Sequence, residues 1–341
     1  MSMRRLDTPL ADRLGLRFAI VQAPMANVTT PELVAAVSEA GALGSFGGAY
    51  VSPDELRAAI RAIREVTTAP FAVNLFAPVT VEEPEPADVE AVSAYVSQWG
   101  PPGAAAAPAW SFDDQLAVVI EARVPVLSFA FGLVDPEPVH DVGIATIGTA
   151  TTAEEARELE LDGVDAIVVQ GAEAGGHRGT FLDSFDEGLV PLAELVPQVV
   201  AVVSKPVIAA GGIMDGAGIA AALDLGAQGV QLGTAFLFAA EARVPPAWKQ
   251  ALREHETVVT AAYTGRPARA AHTPFLAALM AGPPPLPFPL QAGVLAPFRA
   301  HDGYGFYMGG TGAARGREAP AGDLVRTLAF EAESAGRPAG E

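Results

Sequence analysis

The sequence predicts a (β/α)₈ barrel, the TIM barrel, and three observations predict it. Short apolar runs alternate with longer amphipathic ones through residues 1–240. The short runs are continuous and rich in Val, Ile and Ala, the pattern of parallel strands covered on both faces. Eight such strand–helix units occupy roughly 240 residues, the size of this barrel. The rival is an open doubly wound sheet, whose rhythm is similar.

Taken in order, residues 18–23 read as the first strand. Thr30 then caps a helix with Pro31 in its first turn and Leu33, Val34 and Val37 on one face. Strands follow at 42–46 and 71–76, separated by a helix over 53–66 with Leu56, Ile60 and Ile63 at helical spacing. The segment 77–110 breaks the rhythm with six prolines and an acidic helix near 87–99, and reads as an insertion or lid. Strands resume at 124–131, 144–148, 166–170, 206–210 and 229–232. Helices are expected over 152–161, with Thr152 and Glu155 as a capping box, and over 192–203 and 216–225. After Ala239 the pattern dissolves into proline-rich and glycine-rich stretches, and a final helix is expected over 322–333. The expected organisation is thus a barrel core, 1–240, and a C-terminal segment, 241–341, that packs on it and covers its mouth.

Half of the 341 residues are apolar, enough for a large core, and the formal net charge is −19. A chain this acidic repels nucleic acid and anionic lipid, so neither is an expected partner. A local basic or amide-rich pocket can still override the global field for a small anion. There is no cysteine, which removes disulfides, thiolate metal sites and cysteine nucleophiles. No metal is expected. With no signal-peptide pattern and no apolar run of spanning length, the expectation is a soluble cytoplasmic protein, monomer or homodimer.

In a barrel, ligands bind at the carboxyl ends of the strands. The first strand ends on Gln22, Ala23, Pro24 and Met25; the third carries Asn74; the sixth ends on Gln170 and leads to Gly175, Gly176 and His177. The seventh ends on Ala210, Gly211 and Gly212, and the eighth on Gln231, Leu232, Gly233 and Thr234. Paired glycines on adjacent strands let backbone N–H groups approach an anion, which points to a phosphate site. The amides of Gln22, Asn74 and Gln170 suit the donor and acceptor edge of a flavin ring, or else satisfy loop backbone. His177 follows two glycines at the predicted catalytic face and is the candidate for acid–base or charge-holding work. His140, His255, His272 and His301 lack such a setting, and Lys205 lies at the opposite end of its strand. No P-loop, His-Glu-x-x-His or Gly-x-Ser-x-Gly is present. Gly216-x-Gly218-x-x-Ala221 fits the dinucleotide fingerprint loosely, but starts beyond its strand and reads as a closely packed helix.

Together these segments resemble the nitronate monooxygenases, formerly 2-nitropropane dioxygenases, and most closely the class I branch. The likeness rests on Gln22-Ala23-Pro24-Met25, the run 171–179 with Glu173-Ala174-Gly175-Gly176-His177-Arg178-Gly179, Val207 to Ile213, Leu232 to Phe236, and Thr264-Gly265-Arg266-Pro267-Ala268-Arg269. The resemblance implies non-covalent FMN, held by residues that include Ala23, Met25, Asn74, Gln170, Gly175, Gly212, Gly233 and Thr234. It implies His177 as the catalytic residue, O₂ as co-substrate and alkyl nitronates such as propionate 3-nitronate as substrates. Ser128, Ala130, Tyr304 and Tyr307 are expected to face the substrate. Class I relatives often carry a second histidine where Ala130 stands, and a Trp and a Gln are commoner in the segment here reading Tyr307-Met308-Gly309-Gly310-Thr311-Gly312. Two other functions stay open: an NAD(P)H-dependent FMN reductase of quinones or enoyl thioesters, and a flavin-binding protein with a decayed pocket.

Overall fold

The computed structural model describes residues 6–182 and 184–335. Its barrel strands are β1 (Ile20–Gln22), β2 (Gly44–Gly47), β3 (Phe71–Phe76), β4 (Val126–Ala130), β5 (Ala145–Ala150), β6 (Ala166–Gln170), β8 (Val207–Ala210) and β9 (Gly229–Leu232). A two-residue strand, β7 (Gly176–His177), lies outside the barrel. All the barrel pairings are parallel, in the order β1-β9-β8-β6-β5-β4-β3-β2. A parallel bridge from Val21 to Leu43 joins β1 to β2. That bridge closes the ring and excludes the open sheet, whose first and last strands have free edges. The strands are a residue or two shorter than several of the apolar runs. Phe18 and Ala19, for example, are buried but precede the ladder.

The helices follow their sequence signals. Helix Pro31–Glu39 is capped by Thr30, whose side chain accepts from Leu33 N. Helix Pro53–Val66 buries Leu56, Ile60 and Ile63 and starts with a closed capping box of Ser52 and Glu55. At helix Ala153–Asp162 the box is only half built. Thr152 accepts from Glu155 N, but the Glu155 carboxylate accepts from Thr151 N and Oγ1 and, across a loop, from Phe181 N and Leu182 N. A short helix, Pro9–Leu14, carries no periodic signal long enough to read from sequence. Its Leu10 and Leu14 pack on the inward-facing Val21, Leu43, Ala72, Val126 and Ile208. Thr8 Oγ1 donates to Gln228 O just before β9, so this helix plugs the end of the barrel away from the mouth.

A separate apolar cluster lies outside the barrel. Val92 and Val96, on helix Pro86–Val96 of the insertion, pack with Tyr263, Phe275, Leu279 and Phe298. Tyr95 adds a hydrogen bond from its hydroxyl to Ala278 O, 2.7 Å. The segment after Ala239 is more regular than its sequence suggests: β10 (Thr257–Thr260) and β11 (Ala268–Ala271) pair antiparallel, and β11 pairs with β7. The last helix, Ala321–Ser334, packs on Pro31–Glu39 and Gly216–Asp224. The end of the C-terminal segment, 336–341, lies outside the described residues. Among the described residues no helix is long and apolar enough to cross a membrane.

Gly216 is where the last helix touches most closely. A Cβ built there would lie 2.2 Å from Glu331 Cβ and 2.4 Å from Ala332 N. The Gly216-x-Gly218 pattern thus serves helix packing, with Asp215 capping by accepting from Gly218 N. Gly216→Ala is expected to cost about 1–3 kcal/mol through overpacking, seen as a lower urea midpoint at unchanged slope. An unshifted midpoint would show that the last helix does not dock this way.

Candidate active site

The carboxyl ends of the strands open into a cavity of about 460 Å³. Its walls bring together Ala23, Pro24 and Met25 from β1, Asn74 from β3, Gln170 from β6, and Gly175, Gly176 and His177 from the β6 loop. They also include Ala210, Gly211 and Gly212 from β8, Gln231, Gly233 and Thr234 from β9, Ala130 from β4, and Tyr307 from the C-terminal segment. Residues some 280 positions apart in sequence (Ala23 to Tyr307) meet here because parallel strands all point their carboxyl ends the same way.

One side of this cavity is nearly bare backbone. Gly211 and Gly212 have φ of +139° and +67°, which side chains resist, and they turn the chain sharply after β8. A Cβ on Gly175 would lie 2.5 Å from Gly309 C and Gly310 N, so two loops cross in contact. Gly310 N donates to Thr234 Oγ1 at 2.9 Å, and Thr311 N donates to Glu173 O at 3.1 Å. The loop 308–312 is thereby tied to the ends of β6 and β9. Such a cradle of close backbone suits a phosphate.

The amides divide. Gln22 is fully buried; its Oε1 accepts from Ser45 N and its Nε2 donates to Ala23 O, so it links β1 to β2 and does not line the cavity. Gln170 donates to His177 O at 3.0 Å and accepts from Gly179 N at 2.9 Å, bracing the loop that carries His177. Asn74 Nδ2 donates to Ser128 Oγ at 3.1 Å. Ser128, expected to face the substrate, is buried and is not among the residues that line the cavity. Tyr304 is displaced from that role too. It packs on Phe275 and Phe298 in the outer cluster, and its carbonyl accepts from Tyr263.

His177 is placed by strand pairing. It sits opposite Ala268 of β11, with Gly176 opposite Arg269. Its Nε2 lies 3.0 Å from Thr264 Oγ1. Around the ring stand Phe288, Phe131 and Phe76, with centroids at 5.5, 6.0 and 6.5 Å, all edge-on. His177 is half-buried in the cavity wall, and desolvation there pushes the imidazole pKa down to about 3, with the nearby Arg266 and Arg299 pushing it the same way. His177 is therefore a neutral ring at physiological pH.

Arg266 is buried and fixed. Its guanidinium stacks on Phe131, 3.8 Å from the ring centroid, and donates to the carbonyls of Arg178 and Thr180. Phe131 itself has φ +81°, an uncommon conformation for an aromatic residue, beside the Ala130 position. Burial keeps the Tyr50 hydroxyl protonated far above its ordinary range, and Tyr50 lines the cavity near Phe76.

The electrostatics reverse those of the whole chain. Among the described residues no Asp or Glu lines the cavity, while Arg243 and Arg299 do. Neither arginine forms an ion pair among the described residues. Sequence reasoning missed both, along with Tyr50, Phe76, Thr264 and Trp248. Thr264 and Arg266 had a signal, the Thr-Gly-Arg-Pro-Ala-Arg run; Arg243 and Arg299 sit in irregular stretches and had none.

The nitronate monooxygenase family matches residues 7–331. A nitronate monooxygenase of Paraburkholderia phytofirmans is 40% identical, with 93% of each chain covered. A probable nitronate monooxygenase of Staphylococcus saprophyticus is 42% identical over 80% of each. Among solved structures, nitroalkane oxidase from Streptomyces ansochromogenes superposes with a TM-score of 0.88 at 40% identity, covering 96% of this chain and 98% of that one. FabK from Thermotoga maritima superposes at 0.75 with 34% identity, over 96% of each chain. The chain belongs to the nitronate monooxygenase family, and it is an oxidoreductase on a TIM barrel.

Proposed function

We propose that the protein binds FMN and uses O₂ to oxidise anionic alkyl nitronates, with propionate 3-nitronate as the reference substrate. One observation carries this reading: the cavity combines a backbone cradle, a neutral histidine and two arginines, and no described carboxylate lines it. Both FMN phosphate and a nitronate are anions, and a site of this charge favours them in an otherwise acidic chain.

The residues fit the cofactor. Gly211, Gly212, Gly233 and Thr234, with the loop at Gly310, offer the cradle for its phosphate, and Ala23, Pro24, Met25 and Asn74 flank the space left for its ring. Bound there, FMN supplies a two-electron acceptor that O₂ can reoxidise. His177 then works on the substrate. A ring whose proton affinity is pushed down to about 3 is a poor acceptor for a carbon-bound proton. It suits a substrate that arrives already deprotonated, and Arg299 and the Tyr50 hydroxyl add positive potential and a donor on the same wall. Phe76, Phe131 and Phe288 set apolar edges around the ring.

The first test mixes the purified holoenzyme anaerobically with propionate 3-nitronate, then separately with NADH. Flavin bleaching by the nitronate and not by NADH is expected; the opposite result would establish a reductase. His177→Gln is expected to keep its flavin spectrum while kcat/KM for the nitronate falls by about 10²-fold or more. An unchanged kcat/KM removes His177 from the chemistry.

A second prediction concerns pH. The folded-state pKa of His177, about 3, lies below the ordinary 6.5 of an unfolded chain. Above 6.5 neither state is protonated and the stability is complete. As pH falls through that window, the unfolded chain takes a proton that the folded chain refuses, and stability is lost. Between pH 6 and 4, wild-type unfolding free energy should therefore drop faster than that of His177→Gln, by up to about 1.4 kcal/mol per pH unit. Urea titrations at both pH values measure the difference, and equal slopes would mean that the ring protonates in the folded state.

A further inference from the structure

We propose that Thr264 is a positioning residue that fixes which nitrogen of His177 carries the proton. Thr264 Oγ1 lies 3.0 Å from the carbonyl oxygen of Arg266, and a carbonyl only accepts. The hydroxyl proton is committed there. Toward His177 Nε2, at 3.0 Å, the same oxygen must act as acceptor, so Nε2 bears the hydrogen. Arg266 N–H also points at this oxygen, at 3.4 Å, which opposes any reversal of the hydroxyl. Nδ1 then holds the lone pair. No described residue bonds to Nδ1, and the rings around the imidazole, from Phe76, Phe131 and Phe288, carry no donor.

The carbonyl that sets this arrangement is itself held still. Thr264 and Arg266 are buried, so water does not compete for it freely. Arg266 is anchored by its two bonds to the loop carbonyls and by Phe131. That loop is anchored in turn by the Glu155 carboxylate and by Thr151 Oγ1, 2.8 Å from Thr180 Oγ1. His177 is held from its own side by its pairing with β11 and by Gln170. Both partners of the Nε2 bond thus sit on braced backbone.

The consequence is that His177 offers the cavity an acceptor, Nδ1, with Arg266 and Arg299 as the charged groups facing the ring and Tyr50 as a neutral donor. A bound anion brings with it the reason to protonate Nδ1, since it offsets the repulsion from the two arginines. The link to turnover rests on the nitronate reading above; the tautomer itself does not.

The test uses holoenzyme with ¹⁵N-labelled histidine and long-range ¹H–¹⁵N spectra, His177 being assigned by its absence in His177→Gln. The wild-type ring is expected in the Nε2–H form from pH 5 to 8. Thr264→Val should shift it to the Nδ1–H form or an exchanging mixture, with flavin still bound, and Thr264→Ser should restore the wild-type pattern. In parallel, Thr264→Val should lower kcat for the nitronate at least about tenfold, with rescue by Ser. An Nδ1–H wild-type ring overturns the proposal on its own, without any variant. So does a Thr264→Val spectrum identical to wild type. If the tautomer shifts as expected but no nitronate is turned over by any form, the positioning role stands and the substrate assignment falls.

Discussion

The guanidinium of Arg178 lies wholly inside the protein and donates to three backbone carbonyls, those of Gly171, Gln170 and Gly188. Burial, and then the charge of Arg269, lower its pKa to about 10, so it remains a cation, with Glu155 and Glu173 acting the other way. Its Nε is buried without a hydrogen-bond partner among the described residues, so the three carbonyl bonds and the two carboxylates are what make the buried charge tolerable, and removing either would be costly. The loop after β6 is therefore folded around one cation. Arg266 repeats the device from the other side, donating to the carbonyls of Arg178 and Thr180. His177 lies next to Arg178 in the chain and opposite β11 in space, so the two arginines hold the loop while the β11 pairing, Gln170 and Thr264 hold the residue itself.

The same economy explains how a chain of net charge −19 keeps a cationic site. Surface charges beyond a Debye length of about 8 Å are largely screened, while groups lining a protein-walled cavity are screened less. Arg243 and Arg299 act on whatever enters, and the distant carboxylates do not. Composition alone could only leave room for such a pocket, because it carries no information on where charges lie.

Much of the barrel was legible because its strands are short, apolar and buried on both faces, and each is followed by a helix with a readable cap, such as Thr30 or the exact span Pro53–Val66. The cavity-lining glycines were legible because strand ends identify one face. Tertiary geometry decided the rest. Ser128 reads like a mouth residue until its pairing with Asn74 is known, and Tyr304 until the outer aromatic cluster is seen. Strands β10 and β11 were missed because they are only four residues each, in a region dominated by turns, and acquire meaning through their long-range partner β7. Glu155 reads as a helix cap, yet its carboxylate serves the loop at Phe181 and Leu182, a role no local pattern encodes.

The closure of the ring has a temporal side. β1 pairs with β9, so Ile20 waits for Val230, and the cavity wall is finished only by Tyr307 and the loop to Gly312. Chains made from the amino end expose their early strands first, and long-range parallel pairing is slow to form. During synthesis the first strand therefore has one edge without its partner until more than two hundred further residues have emerged. The site is among the last parts of the molecule to exist, so a ribosome-bound fragment that has already built most of the barrel still has no complete pocket.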